Sequence, residues 1–452
     1  MTRAPEHTRR TIFAAGLAGA AGVSPALAQQ GGTSAGRGEA LAGLRRDSDD
    51  DQTPALQRAL AAAARSGLPV NLPPGRYRVS GLSLPAGTRL TGAGPSATTL
   101  VQAGSQPLVV ARGGDRVTLE DLGIEGSAAG DRSTPLVSLS DVGDLRMLDV
   151  RVAKARGTAV RLERCGGRVE RCAISEADIG LFSLDARGLQ VIGNVVEQCG
   201  NNGIQIWRSQ KGYDGSQVLG NRVSQVRAQG GGSGQNGNGI NVFRAGGVMV
   251  AQNVIRDCAF SAVRNNSGDN VQIIGNACGN LGEVAIYAEF AFEGCVIANN
   301  VVDRAAMGIS ITNFNENGRL AVASGNIVRN LFRRPDALTG ETGRGVGIGV
   351  EADATVTGNV VEAAEFAGIV IGYGAYLRDV LCSANVVRRC GYGVAVSVAP
   401  SAGPAQIINN ILSECRRGRI VGFDREKAVS EELAQATSRR FAHLTIQGNT
   451  GQ

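Results

Sequence analysis

Aromatic, arginine and carboxylate residues recur at one place in successive short segments of this chain. The segments share a G-I-x-I pattern, as in Gly203-Ile204-Gln205-Ile206, Gly239-Ile240-Asn241-Val242, Gly308-Ile309-Ser310-Ile311 and Gly368-Ile369-Val370-Ile371. Aligned on it, the positions just beyond hold Trp207-Arg208, Phe243-Arg244, Arg264-Asn265, Tyr287 with Glu289, Asn313 with Asn315, Glu351 with Asp353, and Tyr373. Flat aromatic faces suit sugar rings, and an arginine fork holds a carboxylate through two parallel bonds. The column therefore predicts a groove for an acidic polysaccharide. Trp207, Arg208, Phe243, Arg244, Tyr287, Asn313, Asn315 and Tyr373 would bind sugar, and Arg264, Glu289, Glu351 and Asp353 would carry chemistry. Lyase or epimerase chemistry needs a base beside a uronate carboxylate whose charge is neutralised. Hydrolysis needs two carboxylates at a set separation. The alternative is a non-catalytic envelope or surface scaffold, in which exposed strand exits are polar and aromatic only for solubility and turn packing. Insertions at 208–217, 229–238 and 333–345 flank the column and would wall it, since loops carry function where the scaffold carries packing.

The elements that must position these residues are repeats. A small or polar residue, then Asn, then two mostly β-branched residues recurs with Asn at 194, 221, 253, 300, 326, 359, 385 and 410, with a degraded copy at Asn276 and a terminal echo at Asn449. Most spacings are 23 to 27 residues, stretched to 32 or 33 by Gly-rich insertions. Such a period marks a solenoid whose units bury their apolar faces only by stacking. Alternating runs of four or five residues bounded by Gly and Asn read as strands with one face buried. Three strands and three turns per repeat make an all-β, right-handed parallel β-helix. No L-x-x-L-x-L frame supports a leucine-rich repeat. Asn suits its position because it tolerates left-handed turns and because stacked amides can bond from coil to coil. Counting Asp121, Asp149 and Cys172 as earlier anchors gives thirteen coils, a rod of about 60 Å at the inter-strand spacing.

Composition agrees. With 64 Gly and only 4% aromatic residues, the chain suits turns around a narrow aliphatic core. The net charge of +6 is diffuse and no basic run is interleaved with aromatics, so nucleic acid is not a partner. The only histidines are His7 and His443, so neither a His acid–base pair nor a His metal site can form in the body. No C-x-x-C pair occurs among the nine cysteines. Cys199, Cys258, Cys390 and Cys415 each follow an anchor Asn by five residues, a position otherwise held by Ala305 and Ala364. They read as small buried hydrophobes, with Cys390 and Cys415 the one pair that adjacent coils bring within bonding reach. No cofactor is implied, and Ca²⁺ stays open as a counter-ion for a uronate.

The ends read as address and caps. Thr8-Arg9-Arg10-Thr11-Ile12-Phe13 matches a twin-arginine export motif, followed by an Ala/Gly-rich stretch and a small-x-small site at Ala26-Leu27-Ala28. Residues 1–28 are thus expected to be a signal peptide delivered to the twin-arginine translocase, too short and Gly-rich to stay in the membrane. The mature protein would be periplasmic or secreted. A linker at 29–48 leads to a capping helix at 49–67, with Thr53 as N-cap, Pro54 in the first turn, and Leu56, Leu60 and Ala63 on one face. Repeats fill 68–424, and 425–452 is expected to give a second capping helix, from Asp424 to Phe441, and a last strand at 444–446.

Asp50-Asp51, Ala55-Leu56-Gln57, Leu72-Pro73-Pro74-Gly75-Arg76-Tyr77 and Leu90-Thr91-Gly92-Ala93-Gly94 resemble the start of the pectate lyase superfamily. With the export motif and the repeats, the whole chain resembles the uncharacterised twin-arginine-translocated β-helix repeat proteins. That resemblance implies the fold and a polysaccharide groove along one sheet. The superfamily's hydrolase residues (N-T-D, D-D, G-H-G, R-I-K) have no counterpart here. The epimerase phrase Y-G-F-D-P-H survives only as Gly422-Phe423-Asp424, which reads better as a strand end.

Overall fold

The computed structural model describes residues 39, 41–128, 130–232, 234–313, 316–335, 342–434 and 441–451. The expected signal peptide, most of the expected linker, and Asn315 lie outside them. From Arg37 onward the chain is one unit, a parallel β-helix of about 14 turns. Each coil gives one strand to a 15-stranded sheet that runs from Val70–Asn71 to Leu444–Gln447. All but two of the other strands form a 25-stranded sheet that folds around a corner, because strands such as Val195–Tyr213 and Ala277–Glu289 pass through the bend unbroken. The remaining two, Arg333–Pro335 and Thr342–Arg344, pair with each other antiparallel.

The G-I-x-I isoleucine forms one row of the core. Ile204, Ile240, Val263, Ile286, Ile309, Ile348, Ile369, Val394 and Ile420 stand in register on successive coils. Each is 0% exposed, and burial of one such side chain contributes roughly 1.5–3 kcal/mol. The glycine before it is dictated by close approach. A Cβ at Gly203 would lie 2.5 Å from the Gly239 carbonyl oxygen, and one at Gly308 2.5 Å from that of Gly347.

All ten anchor asparagines form one ladder, buried at every rung but the last, Asn449. Asn300 shows the pattern: its Nδ2 donates to Ile273 O (2.9 Å) behind and to Asn326 Oδ1 (3.0 Å) ahead. Its own Oδ1 accepts from the amide (2.9 Å) and Nδ2 (3.0 Å) of Asn276. The ladder starts at Asn194, whose Oδ1 accepts from Cys172 N, and ends at Asn449. Two expectations are corrected. The left-handed residue is the one before each Asn, such as Gly193 (φ 64), Gln252 (φ 58) or Ala384 (φ 55), and not the Asn. In the early coils Asp121 (φ 53) and Asp149 (φ 52) occupy that left-handed slot. Register then places Leu122 and Val150, both buried, where later coils have Asn.

A helix, α1 (Thr53–Ser66), covers the first coil with Leu56, Leu60 and Ala63 buried. Thr53 is its first residue, and Asp51 Oδ1 accepts from Thr53 N (2.9 Å) and Oγ1 (2.6 Å). Gly67 (φ 74) ends it, donating to Ala63 O. At the other end the expected helix does not begin where the sequence suggests. Arg425 turns left-handed (φ 51), which no helix accommodates, and Lys427–Glu432 returns antiparallel to Gly418–Asp424. The Glu432 carboxylate accepts the amides of Arg419 (2.6 Å), Ile420 (3.0 Å) and Ala434 (2.8 Å), so this hairpin blunts the open edge. Leu444–Gln447 closes the 15-stranded sheet as a parallel strand. The nine cysteines are free thiols, eight of them buried and Cys415 half-buried, with Cys390 and Cys415 unbridged.

Candidate binding cleft

Two outward rows run along the strands that carry G-I-x-I. One passes through Gln205, Asn241, Arg264, Tyr287 and Ser310. The other, two residues further along each strand, passes through Trp207, Phe243, Asn266, Glu289 and Thr312. Residues two apart share a face, so the rows form one floor. Above it lies a cleft of about 540 Å³ whose walls include Gly234 and Gln235 from one insertion and Arg334 and Arg344 from another. Insertions 229–238 and 333–345 thus wall the cleft, whereas residues 208–217 line a different hollow.

The aromatic end is a stack across coils. Phe182 meets Trp207 edge-on at 5.5 Å, and Trp207 meets Phe243 at 5.2 Å with a tilt of 54°. The Arg161 guanidinium sits 5.2 Å from the centre of the Phe182 ring, and that of Arg244 4.7 Å from the Phe243 ring. All three rings are half-buried, held from below and open above.

The charged end is a buried network. Arg264 forks onto Glu289 through Nε (2.7 Å) and Nη2 (2.8 Å), and Asn266 adds a third bond to Glu289 Oε1 (2.8 Å). The Tyr287 ring lies 4.9 Å from the same guanidinium. On the other side Arg264 Nη1 approaches Glu283 Oε2 at 3.7 Å, and Arg344 donates to Glu283 Oε1 at 3.0 Å. Burial alone would lower the Arg264 pKa. Its bonds to Glu289 and the charges of Glu289 and Glu283 outweigh this and raise it, so the cation persists. Burial and then the Glu289 charge raise the Tyr287 phenol, which stays a neutral donor. Glu289 has both oxygens occupied. Glu283 keeps one oxygen, Oε2, without a hydrogen bond.

The sequence-derived column therefore divides. Trp207, Phe243, Tyr287, Arg264 and Glu289 line the cleft together. Arg244 stands at its rim, bonded to Ser209 O at 3.3 Å, and Arg208 faces the hollow beside it. Asn313 is buried, its Nδ2 tying Gly318 O (2.9 Å) to Ala352 O (3.0 Å), and Glu351 accepts the Asn313 amide at 2.7 Å. Both hold a turn. Asp353 belongs to the 15-stranded sheet, clamped by Arg378 at 2.6 and 3.0 Å. Tyr373 precedes a 3₁₀ turn outside the cleft. Sequence reasoning missed Glu283, Arg344 and Asn266. The first two come from before the aligned strand, and the Gly-rich insertion around 333–345 was the one available signal.

The fold is a pectate-lyase-like parallel β-helix, and comparison agrees. The family model described as rhamnogalacturonase A/epimerase, pectate lyase-like, matches residues 42–263. A second, described as periplasmic copper-binding protein (NosD), matches residues 222–422. A search of curated proteins finds no match. Among solved structures, the chain is similar to the catalytic unit of an α-1,3-glucanase from Streptomyces thermodiastaticus, with TM-score 0.47 and 18% identity over 90% of this chain and 67% of that one. It is also similar to the A-module of a mannuronan C-5 epimerase from Azotobacter vinelandii, with TM-score 0.41 and 16% identity over 89% and 96%. A surface adhesin of Streptococcus pneumoniae, PfbA, gives TM-score 0.39 and 14% identity over 86% and 92%. The copper in the second description does not fit these residues. Among the described residues no group of three or more His, Cys, Asp or Glu side chains is placed to hold a metal. Five of the six cysteines in the matched span are buried in the core and Cys415 is half-buried at its edge, and burial pushes thiols such as Cys278 and Cys382 up to about 12.

Proposed function

We propose that the protein binds an acidic polysaccharide in this cleft, outside the cytoplasm. The stack of Phe182, Trp207 and Phe243 across three coils, opening into a charged cleft, is the observation that carries the reading. Half-buried rings held by neighbours present a rigid face at small entropic cost. Three arginines, Arg264, Arg334 and Arg344, against Glu283 and Glu289 leave the lining one charge positive, which favours an anionic chain. The family model whose description names a rhamnogalacturonase and an epimerase covers Trp207 and Phe243. The periplasmic family description supports the location, and no helix among the described residues is long and apolar enough to cross a membrane.

A binding protein without chemistry is the second reading, and one observation favours it. Hydrolysis calls for two working carboxylates. Here Glu289 is saturated by Arg264 and Asn266, and Glu351 and Asp353 are engaged elsewhere. Glu283, whose Oε2 accepts no hydrogen bond, and the neutral Tyr287 phenol line the same cleft and are the groups left for proton transfer.

Trp207 is the only tryptophan, so its fluorescence reports the cleft directly. The test is titration with pectate, alginate and related uronates, with and without Ca²⁺, following emission, absorbance of unsaturated uronates and product size. Binding should quench or shift Trp207 emission, and Trp207→Ala should weaken binding about tenfold without unfolding the rod. Unchanged emission with every uronate would sink the proposal. Binding without new absorbance, shorter products or altered uronate composition would select the second reading.

A further inference from the structure

Beside the cleft, the chain leaves the floor at Arg208 and rejoins the neighbouring strand at Gly212. This excursion is pinned: Asp185 Oδ1 accepts Ser209 N (2.9 Å), Asp185 Oδ2 accepts Ser209 Oγ (2.8 Å), and Lys211 pairs with Asp269 at 2.8 Å. At its end stands Tyr213, a tyrosine 80% exposed. Its ring is nonetheless fixed against bare backbone. A Cβ at Gly215 would come within 2.8 Å of the Tyr213 hydroxyl oxygen, and one at Gly247 within 2.5 Å of the ring. Both glycines have left-handed φ, 73° and 68°, so the ring lies where only glycines leave room.

The hollow beneath, about 590 Å³, is lined by Arg164, Asp185, Arg187, Arg208 and Asp214 among others. Arg164 is held by Asp141 and Glu163. Arg187 has no side-chain hydrogen bond among the described residues, and Arg208 uses only Nε, on Gln210 O at 3.3 Å. Asp185 is occupied by Ser209, and burial raises the Asp214 pKa. Beside a fixed aromatic face, Arg187 thus offers the hollow a fork without a hydrogen bond and Arg208 its two terminal nitrogens, although each charge also feels a carboxylate, Arg187 that of Asp141 and Arg208 that of Asp214. Core packing explains neither the exposed ring nor these unspent donors.

We propose that Tyr213, Arg187 and Arg208 form a second subsite, which takes an anionic sugar residue of the same polysaccharide. The ring stacks on the pyranose, and the forks hold its carboxylate or sulfate. Trp207 lines the cleft and Arg208, next in sequence, lines the hollow, so an extended chain can touch both. The ligand class rests on the function proposed above, whereas the site rests on Tyr213 and the two arginines.

The experiment is calorimetric titration of the full-length protein with short and long oligogalacturonates, with Trp207 emission read in parallel. Long oligomers should bind more tightly than short ones. Tyr213→Ala should cut the affinity for long oligomers about fivefold to tenfold and leave short-oligomer quenching of Trp207 unchanged. Arg187→Ala with Arg208→Ala should remove part of the salt dependence. Affinity for long oligomers within twofold of wild type in both variants would overturn the subsite. A silent Trp207 with affinity still lost in these variants would keep the subsite and remove the cleft. No calorimetric binding of any oligomer would remove both.

Discussion

Arg264 reaches across one coil spacing to grip Glu289 through both edges of its guanidinium, at 2.7 and 2.8 Å, with both side chains at most 10% exposed. Opposite charges this deep offset their desolvation only while the fork geometry holds. Removal of one partner leaves the other charged and buried. Arg264→Met or Glu289→Leu should each destabilise the fold by about 3–5 kcal/mol in urea unfolding. The double variant should recover most of that loss, because no orphan charge remains. Additive single costs would show that the two side chains are not coupled.

The asparagine ladder gives a graded prediction. Asn300 engages four bonds within the core, whereas Asn449 is half-buried at the last rung. Asn300→Ala should cost about 2–4 kcal/mol, since it removes the side-chain acceptor of the Asn276 backbone amide, one of the two acceptors of Asn276 Nδ2 and the side-chain donor to the Ile273 carbonyl. Asn449→Ala should cost about 1 kcal/mol. Equal costs from thermal melts would mean that burial of the rung does not matter.

That ladder is why the fold was legible. A buried amide with every valence used cannot be replaced by a similar residue, so the period survives in the sequence. The left-handed slot was misplaced by one residue because it adjoins the anchor, and the early coils hold Asp in the first position and Leu122 or Val150 in the second. The site was half legible. Trp207, Phe243, Arg264, Tyr287 and Glu289 lie within strands, where alternation fixes the face. Asn313 and Glu351 lie past strand ends and Asp353 already lies in the next strand, in the other sheet, because a shift of one residue at a strand exit moves a side chain to another face or sheet. Glu283 and Arg344 meet across 61 residues, a contact that no local spacing encodes. The second helix was misread because its charged stretch suits a helix or an edge strand equally, and the turn at Arg425 decides.

The buried thiols set an alkaline limit. Burial holds Cys278, Cys295 and Cys382 at about 12, against 9.0 for a free thiol. A folded pKa raised above the unfolded one means that the unfolded chain releases these protons first. Their contribution is full below pH 9 and is lost as pH rises toward 12. Stability should therefore fall above about pH 9, by roughly 1.4 kcal/mol per pH unit for each such thiol. Denaturation midpoints across that range will show it. A variant with Cys278, Cys295 and Cys382 changed to Ala should lose stability less steeply, and an unchanged slope would contradict the assignment. For the same reason native protein should resist thiol reagents that label all nine cysteines in denaturant.

Gly234 closes the cleft wall onto its charged end. A Cβ there would lie 1.9 Å from Arg264 Nη1, and its φ of 142° excludes ordinary side chains. Gly231, three residues earlier, is also left-handed (φ 64) but meets nothing within 4 Å. Gly231→Ala should therefore cost only the backbone term, about 1 kcal/mol. Gly234→Ala adds a clash with a guanidinium that Glu289 and Tyr287 hold in place, so either the wall or the fork must move. Its cost should exceed that of Gly231→Ala by about 1–3 kcal/mol, and limited proteolysis should cut within 229–238 sooner than in wild type. Measured against Arg264→Met alone, where the clashing guanidinium is gone, adding Gly234→Ala should cost only the backbone term. If Gly231→Ala and Gly234→Ala cost the same and are cut alike, the wall does not rest on Arg264 in solution.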